Sequence, residues 1–148
     1  MAAIPQSVRL AIEAGPLVHL VTLNRDSSPQ VTVIWAGIEG DEIVTAHLGS
    51  QQKLKNIRHN ARVALSMETG GHNAMGLAHY LVIHGRARIE EGGAAELLQR
   101  LARRYLGPDV KFPPMDNPPP GYVMHITPER FGGVGPWTSE PAESSGSR

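Results

Sequence analysis

The sequence contains no cysteine, only three lysines and few aromatic residues. Without cysteine there is no disulfide framework, no thiolate nucleophile and no thiolate metal ligand. Acidic and basic residues are equal in number, 14 of each, so the chain lacks the net field that favours nucleic acid or an anionic membrane. No apolar run approaches the roughly 20 residues of a transmembrane helix, and the N-terminus lacks the pattern of a secretory signal. We expect a cytoplasmic protein without a nucleic-acid or membrane partner.

The length of 148 residues suits one domain with a substantial core. Residues 138–148, TSEPAESSGSR, are polar and rich in serine. Because such a composition supplies little apolar surface to bury, it predicts a disordered tail. We therefore place one folded domain at residues 1–137.

Short apolar segments separated by turn residues predict a mainly β protein with six or seven strands. The first three strands are expected to form an antiparallel meander, and glycine-rich residues 68–76 a loop. Three short helices and a proline-rich loop at 107–121 complete the pattern. Together these elements favour an antiparallel barrel with helices over its openings. Strands are predicted at 17–23, 30–37, 42–48, 62–67, 79–91 and after residue 121, and helices at 4–15, 51–60 and 94–106.

The segment SQQKLKNI, residues 50–57, concentrates positive charge. Lys53 and Lys55 are two of the three lysines, and no acidic residue occurs between Glu42 and Glu68. Ser50 is the expected N-cap of a short helix whose buried stripe includes Leu54 and Ile57.

A helix that begins at Ser50 leaves its first-turn amides free, and its dipole adds partial positive charge there. Lys53 would stand at the third helical position, and Gln51 and Gln52 could donate through their side-chain amides. This combination favours a phosphate. A solvated surface helix with a basic face is the alternative interpretation.

Two neighbouring strands indicate what the phosphate is attached to. Val33 and Trp35 would share a face of the second strand, and His47 ends the third strand just before the helix. An apolar wall beside a phosphate site suits a flat ring with a phosphorylated tail. Ordinary core packing is the alternative role for Trp35.

The remaining polar residues identify neither a catalytic group nor a metal site. The seven histidines are scattered without a recurring ligand spacing, so we expect no metal. His79 and Tyr80 are candidate proton donors, with core or surface roles as alternatives.

Residues 28–67 resemble the split β-barrel flavin and deazaflavin oxidoreductases, the relatives of pyridoxamine 5'-phosphate oxidase that include enzymes using coenzyme F-420. Downstream, IHGRARIEE and ITPERFGGVGPW resemble later strands of that family. The match spans roughly residues 8 to 137. It is carried by the order and spacing of Pro29, Trp35, Asp41, Lys53, Asn56, Ile57, Arg58 and Ala61-Arg62-Val63.

The resemblance implies a split-barrel cofactor-binding domain, FMN-binding split barrel-like in fold, that forms a homodimer with two cofactor sites at the subunit interface. Lys53 would be the phosphate-binding lysine. The implied cofactor-binding residues are Thr32, Val33, Ile34, Trp35, His47, Ser50, Gln51, Gln52, Lys53 and Asn56.

Departures from the oxidase pattern bear on the cofactor. The oxidases of this family have an arginine before the phosphate lysine where this chain has Gln52, and Arg and Lys where it has Gln30 and Trp35. The resemblance therefore implies coenzyme F-420, an 8-hydroxy-5-deazaflavin, with FMN as the alternative. The implied activity is hydride transfer to a small conjugated substrate. A pyridoxamine 5'-phosphate oxidase-like enzyme and a non-catalytic flavin- or deazaflavin-binding protein are the alternatives.

Overall fold

A computed structural model describes residues 3–49 and 51–138. They form one seven-stranded antiparallel sheet with three short helices, which confirms the predicted fold class. The disorder predicted for the tail falls on residues that, from 139 onward, lie outside the described range. The elements are α1 (Gln6–Glu13), β1 (Val18–Leu23), β2 (Pro29–Ile34), β3 (Gly37–Glu39), β4 (Glu42–His47), α2 (Gln52–His59), β5 (Arg62–His72), β6 (Ala78–Glu91), α3 (Ala94–Tyr105) and β7 (Tyr122–Val134).

The strand order is β2-β1-β5-β6-β7-β4-β3, so the predicted meander of the first three strands is wrong. β2 ends at Ile34, and β3 begins three residues later at the opposite edge of the sheet. At this break the backbone N–H of Ala36 donates to the Tyr105 hydroxyl, 3.1 Å away, instead of to a strand partner. Two hairpins that look continuous in the sequence are therefore separated in space.

Alternation along the strands builds the core from one face of the sheet. Val18 and Leu20 of β1 are fully buried, and the helices close the barrel through apolar stripes such as Leu54 and Ile57 of α2, as predicted. A second cluster joins Leu97 and Leu101 of α3 to β4 and β7. This second contact fixes α3 beside the β4–α2 junction.

The β5–β6 hairpin is longer than predicted, since β5 continues to His72 and only the turn at 73–77 lacks strand structure. The side chain of Asn73 closes this turn by accepting from the amides of Met75 and Leu77. A glycine inside a strand indicates a bulge or a bend, and a register shift after His84 confirms this for Gly85 in the predicted strand at 79–91. A Cβ at Gly85 would lie 2.4 Å from the carbonyl oxygen of Thr127, so only glycine fits.

The opposite face of β2, β1, β5 and β6 is open and mixes apolar residues with two histidines and a serine. Cross-strand partners on this outer face run Val31–Val21–Ala64–His84 and Val33–His19–Ser66–Val82. Val31 and Val33 on the edge strand are 57% and 53% exposed.

Within residues 3–49 and 51–138, no helix is long and apolar enough to span a bilayer.

Candidate functional site

The site lies where β4 passes into α2. The predicted N-cap, Ser50, lies outside the described residues. In the structure α2 begins at Gln52 with Gln51 as the N-cap residue, so Lys53 occupies the second helical position and not the third. Gln51 makes no side-chain cap hydrogen bond. The first-turn amides of α2 therefore have no side-chain partner from the N-cap.

Lys53 is buried, with 8% of its surface exposed. Within the described parts of the chain, its ammonium group has no ion pair and no hydrogen bond. Burial lowers the pKa of Lys53 from its ordinary value, because desolvation disfavours the charged form. Most of the Lys53 side chain is buried, but its Nζ is not among the buried polar atoms that lack a partner, so the ammonium group remains accessible to an anion from outside the chain.

His47, at the end of β4, shares the same environment. Its side chain is 5% exposed, and its Nε2 lies 2.7 Å from Oγ1 of the fully buried Thr45. Burial, followed by the positive charge of Lys53, lowers the pKa of His47 to about 4. His47 is therefore neutral near pH 7, and it can bond an anion only through one ring N–H.

Lys53 and His47 line a cavity of about 360 Å³ together with Gln51. The remaining wall is apolar and comes from five separate parts of the chain. A planar molecule with an anionic tail fits this division between charged and apolar surface. The full lining consists of Leu17, Val33, Ile34, Trp35, Ala46, His47, Leu48, Gln51, Lys53, Leu98 and Phe112.

Trp35 is held in this wall by two aromatic neighbours. Its ring stacks on Tyr105 of α3, with centroids 5.2 Å apart and planes 13° apart, and Phe112 lies against it at 5.2 Å and 56°. The Tyr105 hydroxyl donates to the carbonyl of Pro16 at 2.6 Å. Since Tyr105 covers one face of the indole, only the rest of Trp35 is available to a ligand.

Asn56 is buried beneath the site and serves to anchor α2. Its Nδ2 donates to Thr22 Oγ1 at 3.0 Å and to Asn24 Oδ1 at 2.9 Å, with Gln30 Oε1 at 3.4 Å. Its Oδ1 accepts from Gln52 Nε2 at 2.8 Å. The amides of Asn56 and Gln52 are thus engaged within the protein, and neither residue lines the cavity.

The family assignment follows from a comparison with known proteins. The chain matches the profile of the pyridoxamine 5'-phosphate oxidase family over residues 4–135. The chain belongs to this family. Pyridoxamine 5'-phosphate oxidase-like proteins form a flavin-binding split-barrel oxidoreductase superfamily, so the fold supplies a flavin-type site. No curated protein matches the sequence significantly.

Solved structures share this pyridoxamine 5'-phosphate oxidase-like fold. An F420 reductase is 25% identical with a TM-score of 0.68, over 87% of this chain and 98% of its own. A conserved hypothetical protein from Mycobacterium tuberculosis is 20% identical with a TM-score of 0.65, over 90% of this chain and 87% of its own. General stress protein 26 from Bacillus anthracis is 19% identical with a TM-score of 0.58, over 84% of this chain and 88% of its own. The latter two similarities show the fold alone.

The sequence analysis of this oxidase-family chain assigned ten residues to the cofactor site. Six of them line the cavity: Val33, Ile34, Trp35, His47, Gln51 and Lys53. Thr32 faces the interior of the sheet, where its buried hydroxyl has no hydrogen-bond partner among the described residues. Leu98 and Phe112 were missed, because α3 and the proline-rich loop are distant in sequence. The one available signal was Phe112, an aromatic residue in a segment otherwise rich in proline.

A second cavity, of about 490 Å³, lies on the outer face beside the β5–β6 hairpin. His79 and Tyr80, the candidate proton donors, line this cavity and not the one that contains Lys53. Trp137 meets His79 edge-on, with ring centroids 6.1 Å apart. In the described ranges, no group of three or more His, Asp or Glu side chains is arranged to hold a metal ion. Unlike the cavity that contains Lys53, this one has no lysine or arginine among the described residues that line it.

Proposed function

We propose that this chain is an oxidoreductase dependent on coenzyme F-420, which transfers a hydride between the deazaflavin and a small conjugated organic substrate. The observation that carries the proposal is Lys53, a largely buried lysine that has no acidic partner in the described residues and lines a largely apolar cavity. A phosphorylated ring cofactor supplies both the missing negative charge and a flat apolar surface.

Each part of the site has a distinct role in holding such a cofactor. Lys53, the first-turn amides of α2 and the amide of Gln51 would bind the phosphate. Val33, Ile34 and Trp35 would flank the ring, with His47 beside the phosphate. The bound cofactor supplies the hydride chemistry, and the protein orients the ring and excludes water. The family resemblance adds Ser50 and Thr32 to the binding set, and Gln52 and Asn56 would act by holding α2 in place.

The charge of the cavity favours the deazaflavin over FMN. Lys53 is the one Lys or Arg among the described residues that line it. Gln30 and Gln52 stand where the resemblance places arginines in the oxidases, and both amides lie in the Asn56 network. The F420 reductase that matches over 98% of its own chain supports the same choice. Membership in the pyridoxamine 5'-phosphate oxidase family supports FMN as the second candidate.

The same proposal includes a homodimer with cofactor sites at the interface. The outer face has exposed Val31 and Val33 on its edge strand and the small residues Ala64 and Ser66 at its centre, with His19 and His84 beside them. Exposed apolar residues on an open sheet face are typical of an interaction surface. Val33 belongs both to this face and to the cavity lining, so a second copy seated on the outer face would also extend the wall of the site.

Titration of the purified protein with coenzyme F-420 and with FMN, followed by cofactor absorbance and fluorescence, tests the proposal. We expect saturable binding of the deazaflavin with at least tenfold weaker binding of FMN. Lys53→Met should weaken the binding tenfold or more, whereas Lys55→Met, at an exposed position on the same helix, should not. The loaded protein is then assayed against enones and quinones.

The titration separates the alternatives. Preference for FMN would replace the deazaflavin proposal with the oxidase-like one. Binding without turnover on any conjugated acceptor would indicate a cofactor-binding protein. Absence of binding by either cofactor would overturn the proposed function.

A further inference from the structure

The proline-rich segment at 107–121 is fastened to α3 by one side chain. Gln99 Nε2 donates to the carbonyl of Val110 at 2.8 Å, and its Oε1 accepts from the backbone N–H of Phe112 at 3.0 Å. One amide thus satisfies backbone groups on both sides of residue 111. These two hydrogen bonds to the backbone restrain the segment at the position from which the Phe112 ring enters the cavity wall.

The far end of the segment is fastened separately. The N–H of Ala94 donates to the carbonyl of Pro120 at 3.0 Å, and that of Gly92 to the carbonyl of Gly121 at 2.7 Å. Between these ends, Met115 is exposed and Lys111 meets Asp116 only at 3.8 Å on the surface. The position of Phe112 therefore depends on the Gln99 contact, on its own packing against Trp35 and on the burial of the adjacent Pro113.

We propose that Phe112 determines ring specificity at the candidate site and that Gln99 is the positioning residue that holds it there. The inference rests on the proposed function and extends it to the recognition of the ring. A phosphate contact from Lys53 would not distinguish a planar conjugated ring from another phosphorylated group, because a charge recognises only the phosphate. Selectivity must come from the apolar wall, whose two aromatic members are Trp35 and Phe112.

Of these two aromatic residues, Phe112 decides ring selectivity, because one face of Trp35 is already covered. Tyr105 already covers one face of the indole at 5.2 Å. Phe112 comes from a segment without regular structure and touches Trp35 at a tilt. Aromatic rings gain from offset-stacked or edge-to-face contact with another ring beyond their buried area. A conjugated ring that enters the cavity therefore gains a contact from Phe112 that inorganic phosphate cannot make.

The test compares ring ligands with inorganic phosphate. Affinities for coenzyme F-420, FMN and phosphate are measured for the full chain and for Gln99→Met, Phe112→Ala and the double variant. Gln6→Met, an exposed glutamine on α1, is the matched control. We expect each single variant to weaken the tighter ring ligand about fivefold, with phosphate affinity unchanged. Because Gln99 acts through Phe112, the double variant should match Phe112→Ala alone.

Additive effects of the two substitutions, or an equal loss of phosphate affinity, would overturn the inference. A readout on the ligand-free protein keeps it separate from the proposed function. Near-ultraviolet circular dichroism reports the packing of the Trp35–Tyr105–Phe112 cluster, and we expect Gln99→Met, but not Gln6→Met, to reduce that signal. An unchanged spectrum in Gln99→Met would refute the positioning role, whereas failure of the full chain to bind any ring cofactor would refute the proposed function.

Discussion

The rings of Trp35 and Tyr105 stack with their centroids 5.2 Å apart. Tyr105 also bonds the backbone of Ala36, the residue next to Trp35, across a sequence separation of 69 residues. The Tyr105 hydroxyl accepts from the N–H of Ala36 and donates to the carbonyl of Pro16. One side chain on α3 thus supports the break between β2 and β3 and one face of the indole in the cavity. The wall of the candidate site is consequently part of the structure that stabilises the fold.

Tyr105→Phe should lower the free energy of unfolding by about 1–3 kcal/mol, because it removes the partner of two part-buried backbone groups. Chemical denaturation measures the change. Tyr122→Phe is the control, since the Tyr122 ring makes a cation–π contact with Arg58 and the phenol–phenyl change leaves that ring in place. Equal stabilities for the Tyr105 and Tyr122 variants would contradict the bridging role.

Lys53→Met should stabilise the ligand-free protein by about 1–2 kcal/mol while weakening phosphate or cofactor binding tenfold or more. The physical reason is that the substitution removes a partly desolvated charge, on a largely buried side chain, that has no partner among the described residues. Thermal unfolding and titration together measure both effects. Lys55→Met, at an exposed position, should change neither the stability nor the binding. A Lys53→Met protein that is less stable than the parent would count against an uncompensated charge.

The buried His47 should make stability depend on pH. Its pKa is about 4 in the folded protein, as against roughly 6.5 when unfolded. Between these values the unfolded state binds more protons, so stability is fully present above about pH 6.5 and is lost as the pH falls to about 4. The loss amounts to roughly 3 kcal/mol at most.

Urea denaturation at several pH values measures this slope, and His47→Gln should flatten it. His59→Gln, at an exposed position on α2, provides the comparison. If His47→Gln and the parent lose stability equally over this range, the assignment to His47 is wrong.

Ala64→Arg should disrupt the proposed dimer, because Ala64 lies near the centre of the outer face and a charged side chain there cannot be buried against a second copy. Light scattering after size-exclusion chromatography measures the mass. Ala14→Arg, the same change at an exposed position at the end of α1, should leave the mass unchanged. A parent protein that is monomeric would remove the dimer from the proposal.

Truncation after Trp137 should leave the melting temperature within about 2 °C of the full chain. The composition of the removed residues offers little apolar surface, whereas Trp137 packs against the core and His79. A second truncation before Trp137 should be clearly less stable. A marked drop for the first truncation would contradict the predicted domain boundary.

Local patterns predicted most of the helices and strands. The apolar stripe of α2, the long β6 strand with its bulge at Gly85 and the helix at 94–106 all follow from spacing within a few residues. The β2–β3 break could not be predicted, because residues 30–37 alternate like a continuous strand. The hydroxyl that ends the strand at Ala36 comes from Tyr105, on a helix far along the chain.

The sequence by itself determined the family and the charge asymmetry around Lys53, since both depend on residue identity and spacing. Only the tertiary structure decided that Lys53 is buried, that Asn56 anchors α2 and that Leu98 and Phe112 complete the cavity. Whether a lysine is hydrated or buried depends on the residues around it, and the residues that share the cavity with Lys53 come from five separate parts of the chain. Periodicity describes one element at a time, whereas desolvation is a property of all the elements that meet at one point.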